Sequence, residues 1–459
     1  MDRDLVQALE DCESGDPDRI ISGSTRIIED ASQPENYRAY AFGTRGGAYF
    51  KKGDLNLAIA DLSESIRLLP LAETFSNRGV VYKHMRQDQR ALADFGSAIE
   101  LDPSVGSAYY HRGALRARMR RVELAMADAN EGVRLKPRDA QAYIVRGAIL
   151  ADQGELDRAL ADHVRAVDLD PSSVDAYLNR GRTYALRGDI REAFVDFMMA
   201  VHLDPDSASA HCDRGAIYAL LGDFHRASVD FNLTIQLDPN DTRGYMGRGS
   251  VHYQMGALDS AIADYTMAVR LDQNNAGAYQ GRAEAYLEKG DVDATIADLT
   301  EALKLAPTNA VLYNNRAVAY MGKEDYDRAI ADCGKAIGCD PKLSTAFIVR
   351  GDAYCAKNDF DNAIADYQTG ITIGERLPDL YRNLGSAYFA KGDVDRAISN
   401  YTEALRRDPQ SSRVLRKRAE AYRAKGDDVR ALVDFKRAKQ INAANEGGPM
   451  PEKSMSRPY

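Results

Sequence analysis

The proline register of this chain constrains its fold more than any other feature. Pro103, Pro137, Pro171, Pro205, Pro239, Pro307, Pro341 and Pro409 are spaced by 34 residues or a multiple of 34. Gln273 and Glu375 fill the two intervening places, and Pro70 precedes Pro103 by 33 residues. A chain of 459 residues would ordinarily divide into about three globular domains. A fixed period overrides that expectation, because each period is one unit stacked on its neighbours.

With proline at position 32, full repeats begin at Ala39, Ala72, Gly106, Ala140, Val174, Ala208, Thr242, Ala276, Ala310, Ser344, Pro378 and Ser412. Position 8 is Gly or Ala in all twelve, and position 20 is Ala in eleven, with Thr295 the exception. Position 4 is Tyr or Phe in ten repeats and position 11 is Tyr in nine. Positions 4, 8 and 11 share one face of a first helix, and 20, 24 and 27 share one face of a second. Small residues at 8 and 20 let the two backbones approach, and aromatics fill the space around that contact. Gly at 15, as in Gly53, Gly154 and Gly188, suits a left-handed helix end. The acidic residue that usually follows can cap the next helix, and proline at 32 stops it.

This pattern, with wording such as NRGxxY followed by GDxxxAIADY, closely resembles the tetratricopeptide repeat family in its bacterial form, over residues 39–442. Tyr or Phe replaces the family's tryptophan at position 4. The resemblance implies an all-α fold: antiparallel helix pairs stacked into a right-handed superhelix of twelve repeats. Residues 1–38 read as a degenerate capping repeat, with helices over Leu5–Glu13 and Asp18–Glu29 and no small residue at its position 20, Ile20. Residues 443–459 read as a disordered tail.

Two charged positions recur with the packing slots. Position 7 is Arg in eleven repeats and position 23 is Asp in eleven. The exceptions, Leu384 and Asn400, fall in one repeat. Removing one member of a partly buried ion pair strands the other, whereas removing both strands nothing. Arg and Asp therefore read as an interhelical pair, within a repeat or between neighbours, rather than as a ladder of ligand-binding arginines.

Composition excludes several function classes. The net charge of −9 argues against a general nucleic-acid binder. No apolar run reaches the ~18 residues of a membrane span. The acidic N-terminal stretch does not read as a signal peptide, so a cytoplasmic location is expected, with a periplasmic or secreted chain left open. Five cysteines with no C-x-x-C pattern read as free thiols rather than a disulfide or zinc framework. No nucleotide-binding, metalloprotease or hydrolase motif is present, and no cofactor is expected. The chain reads as a non-catalytic protein- or peptide-binding scaffold or adaptor. The alternative is an assembly or regulatory subunit of an envelope, secretion or enzyme complex whose catalysis lies on another chain.

In the resembled family, positions 2, 5, 6, 9, 12 and 13 of the first helices line a concave groove. Carried over, they give an apolar zone of Ile144, Ala148, Leu178, Leu186, Cys212, Ala216, Leu220 and Met246, suited to a partner's helix or extended segment. They also give a basic C-terminal zone of Arg382, Arg413, Arg416, Lys417 and Arg423, with Asn383 and Ser386 beside it, suited to an acidic segment. No repeat has the Lys, Asn and Lys at 5, 6 and 13 of the family's carboxylate clamp, and Asn at 6 forms no continuous ladder. The acidic cap and basic C-terminal zone leave head-to-tail self-association open.

Overall fold

The structure is a computed structural model and describes residues 3–373 and 377–446. The described residues form 26 α-helices and no strand. They fall into two compact units, Met1–Asp238 and Pro239–Tyr459. In each unit consecutive helices pair antiparallel, and each pair stacks on the next.

The cap is a helix pair, Arg3–Cys12 and Pro17–Glu29. Its contact is displaced along the second helix. Ile20 occupies the slot that is small elsewhere, and Gly23 supplies the close approach instead. A Cβ on Gly23 would lie 2.6 Å from the carbonyl oxygen of Ala8. At the other end, the last helix runs Asp428–Glu446, four residues past the expected limit of the array. Residues 447–459 of the expected tail lie outside the described residues.

Within each repeat the chain turns at position 15. All twelve repeats place that residue at positive φ: eight are Gly, and Arg86, Arg120, Glu324 and Asn358 stand at 58–60°. The backbone of position 16 then donates to the carbonyl of position 11, as from Asp189 to Tyr184, closing the helix end. The turn is thus required by geometry even where the residue is not glycine.

Small residues at 8 and 20 do what their size allows. Ala at 20 is completely buried in ten repeats. Gly at 8 receives the large residue at 24: a Cβ on Gly181 would come within 2.6 Å of the Phe197 ring. Much of the core is therefore a series of local clusters, such as Ala91, Phe95, Ala98, Ala108 and Leu115, which spans one repeat and the start of the next.

The recurring charges form the expected pair, and it lies within a repeat. In all eleven repeats that carry them, Arg at 7 grips Asp at 23 through Nε and Nη2, sixteen residues apart. In Arg180–Asp196 the bonds are 2.8 and 2.7 Å, and the aspartate side chain is 3% exposed. The guanidinium also sits 5.4 Å from the Tyr177 ring centroid at position 4. Five repeats lack Tyr or Phe at 4 or 11, and in three of them the replacement contacts the same aspartate: Arg116 on Asp128, His211 on Asp230 and His252 on Asp264.

The exceptional repeat shows why both charges are absent together. Leu384 is buried in a cluster that runs without interruption from Ala363 to Ala438. Asn400 turns to the backbone, donating to the carbonyl of Arg396 at 2.8 Å. Tyr381, which would have stacked on the missing arginine, is covered from elsewhere: Arg407 lies 4.2 Å from its ring centroid and donates to its hydroxyl.

Two predictions follow from this geometry. Arg180→Leu is expected to cost about 3–5 kcal/mol, and Arg180→Leu with Asp196→Asn much less; chemical denaturation reads both, and equal losses would refute the pairing. Arg86→Gly, Arg120→Gly and Glu324→Gly should each raise stability by about 1 kcal/mol by relieving left-handed backbone, and a loss in all three would contradict the turn assignment.

Candidate protein-interaction face

The packing slots consume one side of every first helix. What remains open is the face carrying positions 2, 6, 9 and 13. Position 5 does not belong to it when another repeat follows. Ile144 packs against Ala166, Val167 and Ala176, and Leu178 against a cluster containing Ala200, Ala210 and Ile217. Cys212 is buried as well. The side chains of Ile144 and Leu178 point into the seam between their own second helix and the next first helix. The expected apolar strip is corrected accordingly: Ile144 and Leu178 are 5% and 4% exposed and present no surface to a partner. Leu186 and Leu220, at position 13, are 67% and 66% exposed. Ala216 is exposed and Ala148 half-buried. Met246, in the second unit, is half-buried, with the Asn275 amide 3.2 Å from its sulfur.

The expected basic zone divides into two parts. Arg382 is held by Asp379 and by the Asn383 side-chain oxygen, so its guanidinium is not free for a partner. Asn383 in turn donates to Asp352 at 3.0 Å, and Ser386 accepts from Tyr401 at 3.2 Å. Of these contacts, the one from Asn383 to Asp352 ties the eleventh repeat to the tenth. Arg413 and Arg416 are exposed and Lys417 is half-buried, and none forms an ion pair among the described residues. Arg416 is at position 5 but open, because no described first helix follows to cover it. Arg423 lies 5.1 Å from the Phe435 ring centroid.

The sequence reading missed the polar pairs that cross from one repeat to the next. Position 9 reaches position 6 of the following repeat, 31 residues on. Arg182 donates to Asp213 at 2.7 Å in the first unit, and Asn383 donates to Asp352 in the second. The spacing was available in the sequence, but its meaning depends on the stacking register. Asp352 also accepts from the Tyr367 hydroxyl at 2.5 Å, on the same oxygen, Oδ1. Burial pushes its carboxyl above the ordinary range, against the opposing pull of Tyr367, Arg382 and Asn383.

Burial pushes the Cys333 thiol up to about 12, which makes it a poor nucleophile. Among the described residues no group of three or more His, Cys, Asp or Glu is placed to hold a metal ion. No described helix is long and apolar enough to cross a membrane.

The repeat geometry defines the class, and comparison with known proteins agrees. Models of the TPR repeat match residues 147–188, 249–290 and 351–392. Models of the tetratricopeptide repeat match 276–309, 310–343 and 382–446. The chain belongs to the tetratricopeptide repeat family. Human "Tetratricopeptide repeat protein 6" is 31% identical over 80 residues, which span 17% of this chain and 15% of that protein. The crystal structure of the APC/C hetero-tetramer Cut9–Hcn1 contains a chain with a TM-score of 0.55 and 14% identity, covering 96% of this chain and 94% of that one. That likeness shows the fold. Yeast Tom70 aligns with a TM-score of 0.39 and 15% identity, over 90% of this chain and 98% of that one. Repeats of this kind make the chain a protein-interaction scaffold in the general sense.

Because the Asp352 carboxyl is raised in the folded state, folding favours its protonated form. Its ionisation therefore costs stability as pH rises above 3.8 through the folded value. Asp352→Asn keeps the acceptor for Tyr367 and removes the charge. It should melt no lower than the wild type at pH 7, with any advantage vanishing as pH falls toward 4. A large loss at pH 7 would show that the carboxylate itself is needed.

Proposed function

We propose that this chain is a non-catalytic adaptor that holds a segment of another protein along the open face of its first helices. The carrying observation is the division of labour within the repeat. Positions 4, 7, 8, 20 and 23 are nearly constant and buried or paired, whereas 2, 6, 9 and 13 change from repeat to repeat and are half-buried or exposed, with Val145 and Gly281 the buried exceptions. A surface whose chemistry varies along a constant scaffold suits recognition of an extended sequence. In the second unit, Arg413, Arg416 and Lys417 offer unpaired cations to an acidic stretch of that partner.

Photo-crosslinking in cells tests this reading. A benzophenone side chain at Leu186, Leu220 or Arg416 should capture a partner, and one at Val195 or Val229 on the second helices should not. Changing Arg413, Arg416 and Lys417 together to Ser should abolish the salt-sensitive part of that binding. Capture only from Val195 and Val229 would move the interaction off the first helices and overturn the reading.

A further inference from the structure

One polar cluster in the first unit departs from the pattern of the other repeats. Lys83 and His84 end the first helix of the second repeat, Ala72–His84, and His111 lies on the next first helix, Gly106–Arg118. Lys83 Nζ is 3.4 Å from His111 Nδ1. Position 12 is apolar or small in every other repeat except at Arg423, so Lys83 is a charge set where the scaffold does not need one. The imidazoles are held in place by rings: His111 stacks on Phe95 at 5.6 Å and meets Tyr110 edge-on at 4.6 Å, and His84 meets Phe50 edge-on at 4.9 Å.

The cluster lacks an anion. The one carboxylate in contact, Asp88, is engaged by Arg118. Asp175 acts on Lys83 only through space and forms no ion pair with it. Burial, and then Arg118, hold the Lys83 ammonium below its ordinary range. Burial, then Lys83 and His84, push His111 down to about 3. Burial and Lys83 lower His84 too. Lys83 is then an ammonium half-withdrawn from water whose near neighbour is a neutral imidazole, and such a charge gains from an anion that joins it.

We infer that Lys83, His84, His111 and Arg118 form a receptor for a single carboxylate carried by a partner's acidic segment. The inference rests on the reading of the first-helix face as the partner-binding face and names the group received there in the first unit. A carboxylate fits better than a phosphate dianion. The cluster holds one uncompensated ammonium beside imidazoles that are neutral at pH 7, and Asp88 and Asp175 lie nearby. It offers charge for about one negative group and donors on two sides of it.

The test uses the full chain and a capped hexaglutamate peptide, with capped hexaglutamine as the control. Lysine and histidine side-chain NMR signals are followed during titration. The glutamate peptide should move the Lys83, His84 and His111 signals saturably, and the glutamine peptide should leave them unchanged. Lys83→Met keeps the aliphatic stem and should weaken binding about tenfold or more, equivalent to about 1.4 kcal/mol. Arg416→Ser should leave these shifts intact. Signals unmoved by millimolar hexaglutamate, equal binding by folded Lys83→Met, or a response to phosphate with none to glutamate would each overturn the site. Such failures leave the crosslinks from Leu186 and Leu220 standing, whereas loss of those crosslinks would remove the scaffold reading itself.

Discussion

The bidentate grip of Arg at position 7 on Asp at position 23 is the interaction on which the rest of the repeat depends. It ties the first helix to the second beside the close Gly–aromatic contact, with the carboxylate almost fully withdrawn from water. A buried ion pair is a weak source of net stability, since desolvation offsets much of the attraction. Its value here is orientation. A planar guanidinium clamped by two bonds, with an aromatic face beside it, fixes the rotation of one helix against the other. The replacements support this. In three of the five repeats without Tyr or Phe at 4 or 11, the replacement, Arg116, His211 or His252, turns toward the same aspartate. Where the pair itself is lost, Leu384 joins an uninterrupted apolar cluster and Arg407 takes over the tyrosine face.

Much of the fold was legible in the sequence because its signals repeat. A small residue at 8 is required by the second helix that lies against it, by a ring at 24 in most repeats and by its backbone in others, and its recurrence in all twelve leaves little room for another reading. The joint loss at Leu384 and Asn400 identified a pair before any distance was known. The left-handed turn was legible only in part. Gly53 and Gly188 announce it, whereas Arg86, Arg120 and Glu324 adopt the same backbone because the surrounding helices require it.

The candidate face was less legible, for a physical reason. Whether a side chain on a first helix faces solvent or the next repeat depends on the stacking register, which no single repeat encodes. Position 5 illustrates this: Ile144 and Leu178 look like a groove lining in sequence but close the seam between repeats. Conversely, the pairs from position 9 to the next position 6, Arg182 with Asp213 and Asp352 with Asn383, acquire meaning only once neighbours are stacked. Nor does the sequence show that Lys83 and His111 meet, because their proximity is a product of packing.

The central claim is that the pair is a unit whose members are worth having only together. The eleventh repeat allows a direct measurement by a double-mutant cycle that builds the pair instead of breaking it. Leu384→Arg alone should destabilise strongly by burying an unmatched charge, and Asn400→Asp alone should do so more mildly. Together they should recover a large part of the loss, with a favourable coupling of about 1–3 kcal/mol by equilibrium denaturation. Losses that simply add would show that these positions do not act as a pair, and the account of the repeat built on them would fail.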